Sequence, residues 1–144
     1  MEMLDMCRCY VEVARYAINM QRSKKIDHWS FDPVEYLKQH RTIHLDFGRG
    51  TMKTRAAFDI AQDHNGVLVT INQAHARWIQ REVFGNTKGK TRITFSKGAV
   101  AEIRENSYDV VVIDEPALHK PHLLEAIYDA CIDKKIQNII LIGR

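Results

Sequence analysis

Thr42-Ile43-His44-Leu45-Asp46-Phe47-Gly48-Arg49-Gly50-Thr51-Met52-Lys53-Thr54-Arg55 is the stretch on which the reading of this chain turns. A short apolar-leaning run enters a glycine-containing turn, then Lys-Thr, then an alanine-rich segment of helical composition. Strand, glycine turn, Lys-Ser/Thr and helix together form the layout of a phosphate-binding loop. Each residue type has a chemical reason. Gly48 and Gly50 let backbone N–H groups turn inward toward phosphate oxygens. Lys53 brings a point charge to the β- and γ-phosphates, and the Thr54 hydroxyl suits Mg²⁺. The usual spacing is Gly, four residues, then Gly-Lys-Ser/Thr. Here Phe47 occupies the place of the first glycine, and Met52 directly precedes the lysine. Taken by itself, the stretch fits a phosphate site and a tight turn capping a helix equally well.

A second stretch favours the phosphate site. Tyr108-Asp109-Val110-Val111-Val112-Ile113-Asp114-Glu115 is an apolar β-branched run that ends in two adjacent carboxylates before Pro116. Such a run reads as a buried parallel strand, and ligands in open α/β sheets bind at the carboxyl ends of strands. Asp114 is then expected to serve Mg²⁺ and Glu115 to polarise an attacking water.

With both stretches in hand, Gly48-Arg49-Gly50-Thr51-Met52-Lys53-Thr54 resembles the Gly-Arg-Gly-Ser-Ala/Gly-Lys-Ser loop of large-terminase ATPases, the DNA-packaging motors of tailed phages. It is also similar to the loops of superfamily 2 helicases. The resemblance implies that Gly48, Arg49, Gly50, Thr51, Met52, Lys53 and Thr54 contact nucleotide, with Thr54 and Asp114 holding Mg²⁺. It implies catalytic roles for Glu115, Lys53 and Arg49, the last acting in cis on the γ-phosphate. Phe31, Pro33 and Gln39 loosely resemble an adenine-reading segment, in which Gln39 would bond the base edge; packing of a short helix explains the same residues. The fold implied is a three-layer P-loop NTPase (RecA-like, ASCE) with a mainly parallel five-stranded sheet and an N-terminal helix. In that class the last strand, 136–143, lies between the strands of the two motifs, its tip carrying a polar γ-phosphate sensor. Here the tip is Gly143-Arg144.

The rest of the chain fills in this frame. One domain is expected over 1–144, with a helical segment 1–41 and a nucleotide-binding core 42–144. Leu4, Cys7, Val11, Ala14 and Ile18 make a helical stripe, predicting one long amphipathic helix to about Lys24. Strands are expected at 42–47, 67–71 and 92–96, besides the run ending at Asp114 and the last strand. Helices are expected at 54–64, from Asn72 through Phe84, 98–106 and 120–134, with Asn65-Gly66 ending the first of these. The N-terminus lacks the order of a signal peptide, and no run reaches a membrane span, so a cytoplasmic protein is expected. Three cysteines, an odd number, agree with a reducing compartment. Cys7 and Cys9 lack a second Cys/His pair for a metal centre, and His119 and His122 read as polar groups near a helix start.

Net charge is only +3, but Arg77, Arg81, Lys88, Lys90, Arg92 and Lys97 cluster within 21 residues. Thr70, Asn72, Gln73, Arg77, Arg81 and Lys88 therefore suit contact with DNA or RNA phosphates, although a solvated helix face has the same composition. The function these features point to is Mg²⁺-dependent ATP hydrolysis coupled to nucleic acid, with an oligomer or partner protein completing the site. The alternative is a non-hydrolysing nucleotide-binding or protein-interaction module with a degenerate loop, which Met52 and the missing sensor favour.

Overall fold

The computed structural model describes residues 3–23, 32–48, 53–83 and 92–144. The elements run α1 (Met3–Ser23), α2 (Pro33–His40), β1 (Thr42–Leu45), α3 (Lys53–Asp63), β2 (Gly66–Thr70), α4 (Gln73–Trp78) with a π-helical turn (Ile79–Val83), β3 (Arg92–Phe95), α5 (Ser96–Glu105), β4 (Val110–Asp114), a 3₁₀ turn (Pro116–Leu118), α6 (Pro121–Asp133) and β5 (Asn138–Ile142). The chain is α/β, with a five-stranded sheet in the order β1-β5-β4-β2-β3. Every pairing is parallel. β5 runs between β1 and β4, as expected of the last strand.

Composition explains who takes the centre. β2 and β4 are buried at every position, and β5 at all but Leu141, because both of their faces meet helices. β1 and β3 have mixed patterns and form the edges. Alternation along the central strands divides the core. Leu68, Val110, Val112, Ile140 and Ile142 face α1 and α3. Val67, Val69, Val111, Ile113 and Ile139 face the side of α2, α5 and α6. The sheet is thus sandwiched between helical layers. α1 packs chiefly on α3 and less on β1, so the N-terminal helix shares a core with the sheet. No helix among the described residues is long and apolar enough to cross a membrane.

Local chemistry sets the boundaries. Asp32 caps α2 by accepting from the Glu35 N–H at 3.4 Å, with Pro33 in the first turn. Between α3 and β2, Asn65 takes the left-handed conformation (φ 54°). Gly66 instead serves close approach: a Cβ there would lie 2.9 Å from the Val110 carbonyl and 3.1 Å from Ala61 Cα. β1 is shorter than expected and stops at Leu45. Phe47 leaves the sheet because its N–H donates to the Tyr10 hydroxyl (2.8 Å) and its ring meets that of Tyr10 at 4.3 Å. Helix α4 was expected to reach Phe84, which lies outside the described residues.

Candidate phosphate and metal site

The carboxyl ends of β1, β4 and β5 carry a cluster of charged side chains. Lys53 opens α3, and its Nζ lies 3.1 Å from Glu115 Oε1 and 3.7 Å from Asp46 Oδ1. Partial burial pulls the Lys53 ammonium down, but the Glu115 bond and the charges of Glu115 and Asp46 outweigh it, so its pKa is raised. Asp46 sits at the end of β1, where its Oδ1 also accepts from the Gly48 N–H at 2.9 Å. That bond first, then Lys53 and Arg144, holds its carboxyl below the usual range. The loop's lysine is therefore balanced by two carboxylates.

One residue earlier in α3's partner strand the environment reverses. Asp114 ends β4 and is only 3% exposed. Its Oδ2 accepts from the Thr54 hydroxyl at 3.3 Å and lies 4.0 Å from His75 Nε2. Its Oδ1 is buried with no hydrogen-bond partner. Burial, then the charge of Glu115, pushes the Asp114 carboxyl up to about 6, against the weaker pull of Thr54 and Lys53. A buried carboxylate oxygen without a donor is costly unless something else satisfies it. Thr54 and Asp114 thus fit a hard divalent cation. Among the described residues no group of three or more His, Cys, Asp or Glu is arranged so that it could hold a metal ion. Mg²⁺ does not require one, because it is held by one or two carboxylates together with substrate phosphates and water.

Glu115 is held by the backbone. It adopts the left-handed conformation (φ 49°, ψ 66°), its N–H donates to the Ile142 carbonyl (2.8 Å), and its Oε2 accepts from the Arg144 N–H (3.1 Å). Directly beneath it, Gly143 has φ 96°, and a Cβ there would lie 2.6 Å from Glu115 Oε2. The tip of β5 is pinned by the Gly143 N–H donating to the Leu45 carbonyl (2.9 Å) and by His44 Nε2 donating to the Gly143 carbonyl (2.6 Å). Gly143→Ala should therefore cost about 1–3 kcal/mol in a urea titration, because it combines a disfavoured φ with a collision. Unchanged stability would show that neither constraint acts at this turn.

Lys53, Thr54, Asp114 and Glu115 are thus brought together, with Gly48 beside them through Asp46. Arg49, Gly50, Thr51 and Met52 lie outside the described residues, as does Lys88. Gln39 is not brought to the cluster. It is exposed in the last turn of α2, just before β1 begins, so the length of a strand separates it from Lys53. Among the expected nucleic-acid residues, Thr70 is corrected: it is fully buried, with its hydroxyl directed at the Asn72 and Thr94 carbonyls, each 3.2 Å away. Asn72 caps α4, its Oδ1 accepting from the His75 N–H at 2.8 Å. Gln73, Arg77 and Arg81 are exposed on α4 and the turn that follows it.

Two residues here were not anticipated. Asp46 gave a weak signal, being an acid just ahead of the glycine turn, and His75 gave none that spacing could carry. His119, expected as a polar group near a helix start, does precede α6. His119 is buried, and its Nε2 donates to the Asp114 carbonyl at 2.8 Å. It steadies the strand end that presents Asp114. No family model and no curated protein matches the sequence.

Proposed function

We propose that this chain is a P-loop ATPase of the RecA-like type, similar to the ATPase core of large terminases and superfamily 2 helicases, that binds and hydrolyses ATP and acts on nucleic acid. The observation that carries the reading is the junction of a loop lysine with two carboxylates beside a Thr–Asp pair whose Asp114 Oδ1 has no partner. That junction lies at the strand ends where open α/β sheets bind ligands. Lys53 exchanges its carboxylate partners for the β- and γ-phosphates of the substrate. Glu115, released from Lys53, orients the attacking water and accepts its proton. Thr54 and Asp114 would hold Mg²⁺, which when bound neutralises charge on the phosphates. Arg49, in the position of the terminase-loop arginine, stabilises charge that develops on the γ-phosphate.

Lys53→Ala tests the assignment. The variant should retain a cooperative thermal transition, because Lys53 faces carboxylates and not the core, but give no ATP heat in titration calorimetry. Unchanged ATP affinity would remove the loop from the site. For the nucleic-acid arm, replacing both Arg77 and Arg81 with Ala should weaken binding to all sequences alike and flatten its salt dependence by about one to two units of slope. Wild-type protein that binds neither DNA nor RNA at low salt would end that arm of the proposal.

One observation favours the second reading, a nucleotide-binding module without turnover. The position expected of a polar γ-phosphate sensor is Gly143, which has no side chain to offer, and in this arrangement a Cβ there would lie 2.6 Å from Glu115 Oε2. Phosphate release, measured with and without DNA, separates the two readings.

A further inference from the structure

At the opposite end of the sheet, where β1 and β5 begin, a cavity of about 670 Å³ opens between the C-terminal ends of α1 and α6 and the helix α2. This volume falls within the range of small-molecule sites. Its floor is apolar, built from Leu37, Cys131, Ile132 and Ile136. Burial pushes the Cys131 thiol up to about 12, so it lines the cavity as an uncharged, apolar group. Three cations join this floor: Arg22, Arg41 and Lys135.

The two arginines are anchored in a specific way. Arg22 donates its Nε to Asn138 Oδ1 at 3.1 Å, and Arg41 donates its Nε to the Tyr36 hydroxyl at 3.1 Å. Asn138 is itself fully buried, and its Nδ2 donates to Gln21 Oε1 (2.8 Å) and toward the Arg41 carbonyl (3.5 Å). One buried amide thus ties both arginine-bearing segments to the start of β5. Each guanidinium is held through its inner nitrogen, which leaves the paired terminal nitrogens for a second partner. Among the described residues no carboxylate comes within ion-pair distance of Arg22, Arg41 or Lys135. The last acid of α6, Asp133, is already engaged by Arg104 at 2.9 Å. Lys135 has φ 55°, a conformation that only a few residue types adopt readily.

We propose that this cavity binds a small amphipathic organic anion, its carboxylate or phosphate head on Arg22, Arg41 and Lys135 and its apolar body against Leu37, Ile132 and Ile136. Anchored guanidinium forks suit such heads because little side-chain freedom remains to be lost on binding. The site is separated from the Lys53 cluster by the length of the sheet and does not depend on the ATPase reading.

Titration calorimetry at low salt, using the full chain with decanoate, decyl phosphate, decanol and inorganic phosphate as probes, tests this. Both decyl anions should bind with one-to-one saturation, whereas decanol and inorganic phosphate should bind at least tenfold more weakly. Arg41→Gln and Arg22→Gln should each weaken the anions about tenfold or more, since a charge-assisted contact is lost. Lys135→Asn, which suits the left-handed backbone and leaves the core untouched, should weaken them several-fold with an unchanged thermal midpoint. Lys53→Ala should leave decyl-anion binding as in the wild type. Absence of anion binding, equal binding of decanol, or binding that Lys53→Ala abolishes would each overturn the proposal. Saturation by one decyl anion only would assign the head group as carboxylate or phosphate. Loss of ATP binding in Lys53→Ala, by contrast, bears on the nucleotide site alone.

Discussion

Glu115→Gln protein should bind ATP as well as the wild type, yet hydrolyse it on the order of 10²- to 10⁴-fold more slowly. The amide keeps the size of the carboxylate and can still accept from the Arg144 N–H, so the left-handed turn and the tip of β5 are preserved. It cannot take a proton from water. It also loses the 3.1 Å ion pair with Lys53, which frees the lysine for phosphate and should leave affinity equal or slightly higher. Single-turnover phosphate release together with nucleotide titration checks both halves. A variant that hydrolyses at the wild-type rate would show that Glu115 is a counter-ion for Lys53 and no base. The distinction matters because the structure gives Glu115 three constraints: Lys53, the Arg144 N–H and the glycine beneath it.

Asp114→Asn should gain stability and lose metal-dependent activity together. A carboxyl that ionises near 6 in the fold, against 3.8 when free, costs about 3 kcal/mol when charged, at about 1.4 kcal/mol per tenfold change. The sign follows from proton binding. The folded state holds this proton more tightly than the unfolded chain, so the contribution of Asp114 is most favourable below about pH 4. It declines as pH rises toward 6 and stays low above that. Urea titrations without metal should therefore show Asp114→Asn more stable than wild type at pH 7 and nearly equal at pH 4. Adding Mg²⁺ with nucleotide should raise the stability of the wild type, because a ligand that binds only the fold stabilises it, and should do little for the variant. An Asn variant less stable than wild type at pH 7 would mean that Asp114 is satisfied within the protein, and the metal assignment would fail with it.

Much of the fold was legible because it follows from local chemistry. The continuous apolar runs at Val67–Val69 and Val110–Ile113, rich in β-branched residues, read as strands buried on both faces, and they occupy the centre of the sheet. The alternation of strands with helices long enough to cross over implied parallel pairing, which all four pairs show. Within the candidate site, the proximity of Lys53 and Thr54 to Asp114 and Glu115 agreed with the motif spacing. Errors arose where a neighbour distant in sequence decides the outcome. Phe47 looked like strand until Tyr10, 37 residues earlier, took its N–H. Thr70 looked like a surface hydroxyl until β3 paired beside it and the Thr94 carbonyl came within reach. Gln39, whose composition suited either a base edge or helix packing, stands exposed in the last turn of α2, beside the start of β1.

By itself, then, the sequence determined the strands and helices, their mainly parallel pairing and the candidate residues Lys53, Thr54, Asp114 and Glu115, because periodicity, glycine and charge act over a few residues. The tertiary structure alone decided which charges meet. Asp46 and Glu115 converge on Lys53 because α3 begins between the ends of β1 and β4. Asp114 is desolvated because helices close over both faces of the sheet. Arg22 and Arg41 share one cavity because Asn138, more than 90 residues away from either, is buried between them. Burial and long-range electrostatics depend on distances in space, and those distances exist only once the sheet order β1-β5-β4-β2-β3 is formed.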